Sequence, residues 1–360
     1  MIKKTSFFLG ANTPKGFVSF FDELYNPYQP CNAYILKGGP GTGKSTFMKK
    51  VGAEAEKRGY AVQYIYCSSD PQSLDAVIVP ELQLSIADGT APHVLEPKFP
   101  GVAENIINPG QFWNTRRLKK AQNEIRTLTI ENSLHHRRSS AYLSAAGKLC
   151  DENRRLCHSF IREEKINSFA VRFAARECEK KKNVQPGRAY KRFLSGITPE
   201  GIVYLDDTVS TLCTRVIGID DEYGAVSQML CQRCAQAVIN KGYDVILCHC
   251  PMRPEECEHI IIPGLSLCIM TLKKNHTTKI QCDRIIHSSR FMTEGIEKYK
   301  KRLRFNRTMA YELILQSIDC LKKAKSVHDE LEGKYVEAMD FDALNSFCEK
   351  IIEEMFSINN

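Results

Sequence analysis

The feature that most restricts how this chain can fold is that it is written twice. Thr13-Pro14-Lys15-Gly16-Phe17-Val18 returns as Thr198-Pro199-Glu200-Gly201-Ile202-Val203, each preceded by Phe-Leu (Phe8-Leu9 and Phe193-Leu194). Gly59-Tyr60, Val62, Cys67, Pro71, Pro80 and Leu82 recur in order as Gly242-Tyr243, Val245, Cys250, Pro254, Pro263 and Leu265, with His93 answering to His276 and Phe112 to Phe291. Asp151-Glu152 and Ile166-Asn167-Ser168-Phe169 match Asp329-Glu330 and Leu344-Asn345-Ser346-Phe347. Such an ordered series at a spacing of about 180 residues marks two copies of one structural unit.

Within a copy the local patterns alternate between strand and helix. Ala33 to Leu36 reads as a short buried strand, Ser45 to Arg58 as a helix, and Ala61 to Cys67 as a β-rich run; Leu82 to Asp88 alternates apolar and polar residues and ends in an acid. Alternating strands and helices imply an α/β fold with a parallel sheet. After Trp113, Leu118, Ala121, Ile125 and Leu128 fall at helical spacing, and Leu321, Ala324, Val327 and Leu331 do the same near the C-terminus. The expected division is a first α/β unit at 1–113, a basic helical segment at 114–185, a second α/β unit at 186–292 and a C-terminal helical segment at 293–360. The helices are expected to pack on or beside the sheets.

Gly38-Gly39-Pro40-Gly41-Thr42-Gly43-Lys44-Ser45-Thr46 satisfies the phosphate-loop pattern G-x-x-x-x-G-K-[ST], in the required order of strand, loop and helix. Glycines let the backbone curl so that successive N–H groups form an anion nest at a helix N-terminus. The pattern assigns Lys44 to the β- and γ-phosphates of a nucleoside triphosphate such as ATP, and the Ser45 hydroxyl to Mg²⁺, a hard cation that takes oxygen ligands. Asp88 closes a strand and precedes the turn Gly89-Thr90, so it is the candidate second ligand of Mg²⁺. Glu81 is a weaker candidate for positioning water or an acceptor hydroxyl. The run Gly201 to Asp207 imitates a strand ending in paired acids, but its partner Gly16 to Glu23 precedes the loop, and both are expected to begin amphipathic helices.

The second copy lacks this chemistry. An ungapped alignment places Ile219 to Ser227 over Lys37 to Ser45, so that Val226 replaces Lys44, and Asp220 and Asp221 replace Gly38 and Gly39. A carboxylate about 4 Å from a phosphate costs roughly 4 kcal/mol at an effective dielectric of about 20, which excludes phosphate there. Thr271 replaces Asp88 and Gly264 replaces Glu81, as expected of residues that served the lost loop.

The remaining composition sets the setting. The fifteen cysteines are scattered through 360 residues, which reads as reduced thiols and a cytoplasmic protein; Cys231-x-x-Cys234 falls within a helical pattern, which argues against zinc. The apolar stretch after Met1 is too short for a signal peptide, and no run approaches a membrane span. The net charge of +8 is concentrated between Arg116 and Arg192, with twenty Lys and Arg against eight Asp and Glu. Basic helices of this kind offer a surface to nucleic acid or an acidic protein, although most charge runs are solvated faces.

The strings Leu36 to Thr46, Leu74 to Leu82 and Asp88 to His93 resemble those of a family of largely uncharacterised bacterial ATPases built from two tandem phosphate-loop units. The resemblance implies duplicated P-loop NTPase-like units and ATP binding with Mg²⁺; this chain departs from it where the second unit has lost its loop. Three activities remain open: ATP hydrolysis that switches the helical regions, phosphoryl transfer to a nucleotide or small molecule with Arg116 and Arg117 closing over the phosphates, and a nucleotide-regulated scaffold for nucleic acid or protein.

Overall fold

A computed structural model describes residues 3–179, 185–274 and 278–357; His276 lies outside them. The first copy contains β1 (Lys4–Phe7), β2 (Gly10–Thr13), β3 (Gly16–Ser19), β4 (Asn32–Leu36), α1 (Lys44–Lys57), β5 (Val62–Tyr66), β6 (Leu74–Val79), β7 (Leu84–Asp88) and β8 (Glu104–Ile107). Helices α2 (Thr115–Lys120), α3 (Gln122–His158) and α4 (Glu163–Glu177) follow. The second copy repeats the series as β9 (Ala189–Arg192), β10 (Ser195–Thr198), β11 (Gly201–Tyr204), α5 (Asp206–Leu212), β12 (Arg215–Asp220), α6 (Ala225–Ile239), β13 (Val245–Cys250), β14 (Arg253–Ile262), β15 (Leu267–Leu272) and β16 (Arg284–His287). It ends with α7 (Lys300–Val336) and α8 (Phe341–Ser357).

The duplication extends to topology. The first sheet runs β1-β5-β6-β7-β4-β8 and the second β9-β13-β14-β15-β12-β16, strand for strand the same order. The sheets are mostly parallel, as expected, but not wholly so: β6 and β14 each run antiparallel to the strand on either side. The cause is connection length. Only residues 67–73 separate β5 from β6, and residues 80–83 separate β6 from β7, too few for the crossover that parallel neighbours require.

The Thr-Pro-x-Gly repeat is the turn of a small hairpin in each copy, not the approach to a helix. Thr13 accepts a hydrogen bond from the Lys15 N–H (3.0 Å) and donates to the Gly16 carbonyl (2.7 Å); Thr198 does the same with Glu200 (3.1 Å) and Gly201 (3.0 Å). Both glycines have positive φ, 91° and 121°, where a side chain would be strained. Gly16–Ser19 and Gly201–Tyr204 are therefore strands, and the pair Asp206-Asp207 opens α5 instead of closing a sheet strand.

The two sheets pack face to face. Ile65, Ala76, Ile78 and Ala87 of the first meet Val216, Ile246, Ile261 and Met270 of the second in one buried layer. Like meets like across the junction, because Phe8 and Phe193 exchange two backbone hydrogen bonds of 2.9 Å. The long helices α3 and α7 lie antiparallel, with Ser139 bonded to Ser317 (2.8 Å) and Asn153 to the Leu303 carbonyl (2.8 Å).

The tail helices are exchanged. Ile166, Ala170 and Phe173 of α4, which belong to the first copy, bury against α6 and the second sheet. Leu344, Cys348 and Phe356 of α8 bury against α1 and the first sheet. Phe173→Ala should therefore cost about 3–5 kcal/mol. Hydrogen exchange in the variant should show the loss of protection in α6 and β12 of the second copy, and not in α1 and β4 of the first.

Candidate functional site

The loop after β4 is held by its neighbours in the sheet. The register pairs Leu36 with Asp88 on one side and with Ile107 on the other, which brings the end of β7 against the start of the loop. Gly41 (φ 68°) and Gly43 (φ 72°) take left-handed conformations, and Gly43 occupies the N-cap position of α1 without a side-chain cap. Gly38 approaches Thr42 so closely that a Cβ would stand 2.9 Å from its hydroxyl. The opening amides of α1 thus form a nest for which no side chain among the described residues supplies an acceptor.

Lys44 points back over the loop. Its ammonium donates to the carbonyls of Gly38 and Gly39 (2.7 Å to the latter) and stands 3.4 Å from an Asp88 carboxylate oxygen. The other Asp88 oxygen accepts from the Thr90 N–H (2.9 Å) and hydroxyl. The Ser45 hydroxyl oxygen accepts from the Leu74 N–H of β6 (3.0 Å), and Thr42 donates to the Gly39 carbonyl (2.8 Å). Lys44 and Asp88 stand together beside Gly38–Thr46, with Ser45 in the first turn of α1.

Glu81 is not among them. It lies in the turn between β6 and β7, where it accepts from the Ala61 N–H (3.3 Å) at the start of β5. That is the opposite edge of the sheet, a strand length or about 15 Å from the loop. Its counterpart Gly264 lies against Tyr243, where a Cβ would stand 3.2 Å from the ring.

Asp75 and His93 belong to the site although only His93 had been singled out, and that as structural. Asp75 is the lone charge in the buried strand β6, and His93 Nε2 stands 3.6 Å from its carboxylate. His93 stacks on Phe21, ring centroids 4.6 Å apart, and its Nδ1 has no partner among the described residues. Burial pushes the Asp75 carboxyl up to about 6; Asp88 pushes the same way, while His93, Cys67 and Lys44 oppose it. The available signal was a carboxylate inside an otherwise apolar run.

The corresponding place in the second copy is filled from within. Gly224 (φ 71°) caps α6 as Gly43 caps α1, so Ala225, and not Val226, stands in the place of Lys44. The sheet registers equate Leu36 with Ile219, leaving residues 220–223 where the first copy has residues 37–42: the loop is two residues shorter. The Asp221 carboxylate folds into the nest and accepts from the N–H groups of Val226 and Ser227 at 2.8 Å each.

A roof from the C-terminal helices closes over the first loop. Trp113 and Tyr335 lie against Gly39, the Glu332 carbonyl and Val336 against Gly41, and Leu344 against Gly43. Asn114 donates to the Ala338 carbonyl (2.8 Å) and the Asp340 N–H to that of Phe112 (3.1 Å). Arg117, one of the two arginines expected over the phosphates, reaches Glu337 in this roof at 3.4 Å, and Arg116 is exposed beside it. Part of the basic charge on α3 is met within the molecule, by Arg154 with the buried Glu256, while Arg155 pairs with Glu152 at the surface of the same helix. Among the described residues no helix is long and apolar enough to cross a membrane.

The raised Asp75 carboxyl has a stability signature. A group whose folded value lies above its unfolded value of 3.8 stabilises the fold fully below about pH 4, and that contribution is lost as pH rises towards 6. Two units correspond to roughly 3 kcal/mol. Urea unfolding at a series of pH values should find Asp75→Asn gaining on the wild type between pH 4 and 6 and holding a constant difference above about pH 7. A difference that does not change with pH would show that Asp75 titrates normally.

Comparison with protein-family models, with curated proteins and with solved structures finds no match for this chain, so its functional reading rests on its own residues.

Proposed function

We propose that the first copy binds one nucleoside triphosphate, ATP with Mg²⁺, at Gly38–Thr46 and hydrolyses it, and that occupation of the loop is coupled to the seating of α7 and α8. The observation that carries this reading is the contrast between two equivalent helix starts. In the second copy a carboxylate already satisfies the amides; in the first the same geometry is backed by Lys44 and left open to an anion.

The residues fit the group they would hold. Lys44 would exchange its bonds to the Gly38 and Gly39 carbonyls for phosphate oxygens, and charge-assisted bonds of that kind are the stronger ones. Ser45 and Asp88 supply hard oxygen ligands on adjacent elements; bound there, Mg²⁺ would neutralise developing charge on the transferred phosphoryl group. Asp75 and His93, buried beneath Lys44 and Asp88, would set the field and the proton balance around them. The roof is in steric competition with a ligand, because Gly41 already touches the Glu332 carbonyl and Val336. Phosphate entry would then lift the last turn of α7, which is how nucleotide state would reach the long helices.

Titration calorimetry should find one ATP per chain, weakened about a hundredfold by Lys44→Ala. Ala225→Lys should add no second site while Asp221 remains. Asp88→Asn should retain binding but lose its dependence on Mg²⁺ and the release of labelled phosphate. Two nucleotides per chain, or none with Mg²⁺ present, would overturn the reading. Transfer of the label to an added acceptor, in place of release to water, would make the protein a kinase.

A further inference from the structure

The second copy has lost one anion site and, beside it, encloses another space. A cavity of about 150 Å³ lies at the C-terminal edge of the second sheet, between the β10–β11 hairpin, the end of β13 and the helices α3 and α7. This is the edge of an open α/β sheet at which ligands bind. One wall is apolar, formed by Ile197, Ile202, Met252 and Ile314; the other carries Arg253, Lys273, Glu258, Arg307 and Glu222.

Four of those five charges are spent on each other. Lys273 pairs with Glu258; burial pushes the Glu258 carboxyl up, but Lys273, with His259 and Arg253 beside it, outweighs burial and holds that carboxyl down at about 2. Arg307 pairs with Glu222 at 3.3 Å. Arg253 remains. Its Nε–H donates to Glu256 (2.8 Å), but Glu256 is shared with Arg154 (2.8 Å), so the pair of arginines retains one uncompensated positive charge. The Arg253 side chain is 8% exposed, and among the described residues its one hydrogen bond is that from Nε. A buried cation of this kind is costly unless an anion meets it.

The cations belong to this copy alone. The register that equates Leu84 with Leu267 and Pro80 with Pro263 places Asp70 where Arg253 stands, Thr90 where Lys273 stands, and Asp75 where Glu258 stands. The cavity is therefore a specialisation of the second copy and not a feature inherited by both.

We infer that this cavity binds a small monocarboxylate with a short apolar chain, its carboxylate on the Arg253 fork and its chain against Ile197, Ile202 and Ile314. A space of about 150 Å³ suits a molecule of roughly six heavy atoms, the size of benzene. A planar carboxylate matches the two parallel donors of a guanidinium. A single negative charge completes the balance that the protein leaves open.

Sodium butyrate, with six heavy atoms, is the probe. Calorimetry and thermal unfolding should show saturable binding of one butyrate per chain, with neither butan-1-ol nor butylammonium in its place. Arg253→Met should weaken butyrate at least tenfold, Ile314→Trp should abolish it by filling the space, and Lys44→Ala should leave it unchanged. On the unmodified chain, intermolecular nuclear Overhauser effects should connect butyrate to the methyl groups of Ile314 and Met252, which decides the matter even if a variant fails to fold. No saturable effect at tens of millimolar butyrate, equal binding of butylammonium, or Overhauser contacts elsewhere would each overturn the inference.

Discussion

Neither sheet can cover its outer face with helices lying beside it in the chain, and this shortage organises the molecule. Six strands spaced about 4.8 Å apart span more than two helix diameters, while each copy threads one helix, α1 or α6, directly onto its own sheet. The missing helix comes from the other copy: α4 covers the second sheet and α8 the first. The inner faces bury each other, so an apolar layer common to both copies forms the middle of the protein. Separated copies would each expose two apolar faces.

The exchange also determines what surrounds the glycine-rich loop. Because α8 must reach α1, the chain turns between Val336 and Phe341 directly above Gly39–Gly43. The loop is thereby roofed by residues nearly three hundred positions away. Any ligand at the loop would compete with the end of α7 for space, and α7 runs 37 residues, roughly 55 Å, along α3. A local event at the loop has a stiff element on which to act.

The two copies share one topology and differ at one helix start. The nest at the start of a helix demands an acceptor, and there are two ways to provide one. The second copy has the shorter loop and Asp221 in the nest, which stabilises that helix and occupies the place of an outside anion. The first copy kept the longer loop, Lys44 and an acid at the adjacent strand end. Its buried Asp75, held up at about 6, has a charged counterpart in Glu258 of the second copy.

What could be read from the chain alone was whatever short-range pattern encodes. The glycine spacing of Gly38–Thr46, the strand that ends at Asp88 and the two-copy order are local or periodic, and the structure places them as read. Replacement across the copies singled out Asp88, which stands beside Lys44, and Glu81, which stands at the other end of the sheet beside Ala61. The antiparallel course of β6, the exchange of α4 and α8, the two-residue shortening before Gly224 and the meeting of Asp75 with His93 were decided only in three dimensions. Each depends on which surfaces find one another across long stretches of chain, and residue type carries no mark of its distant partner.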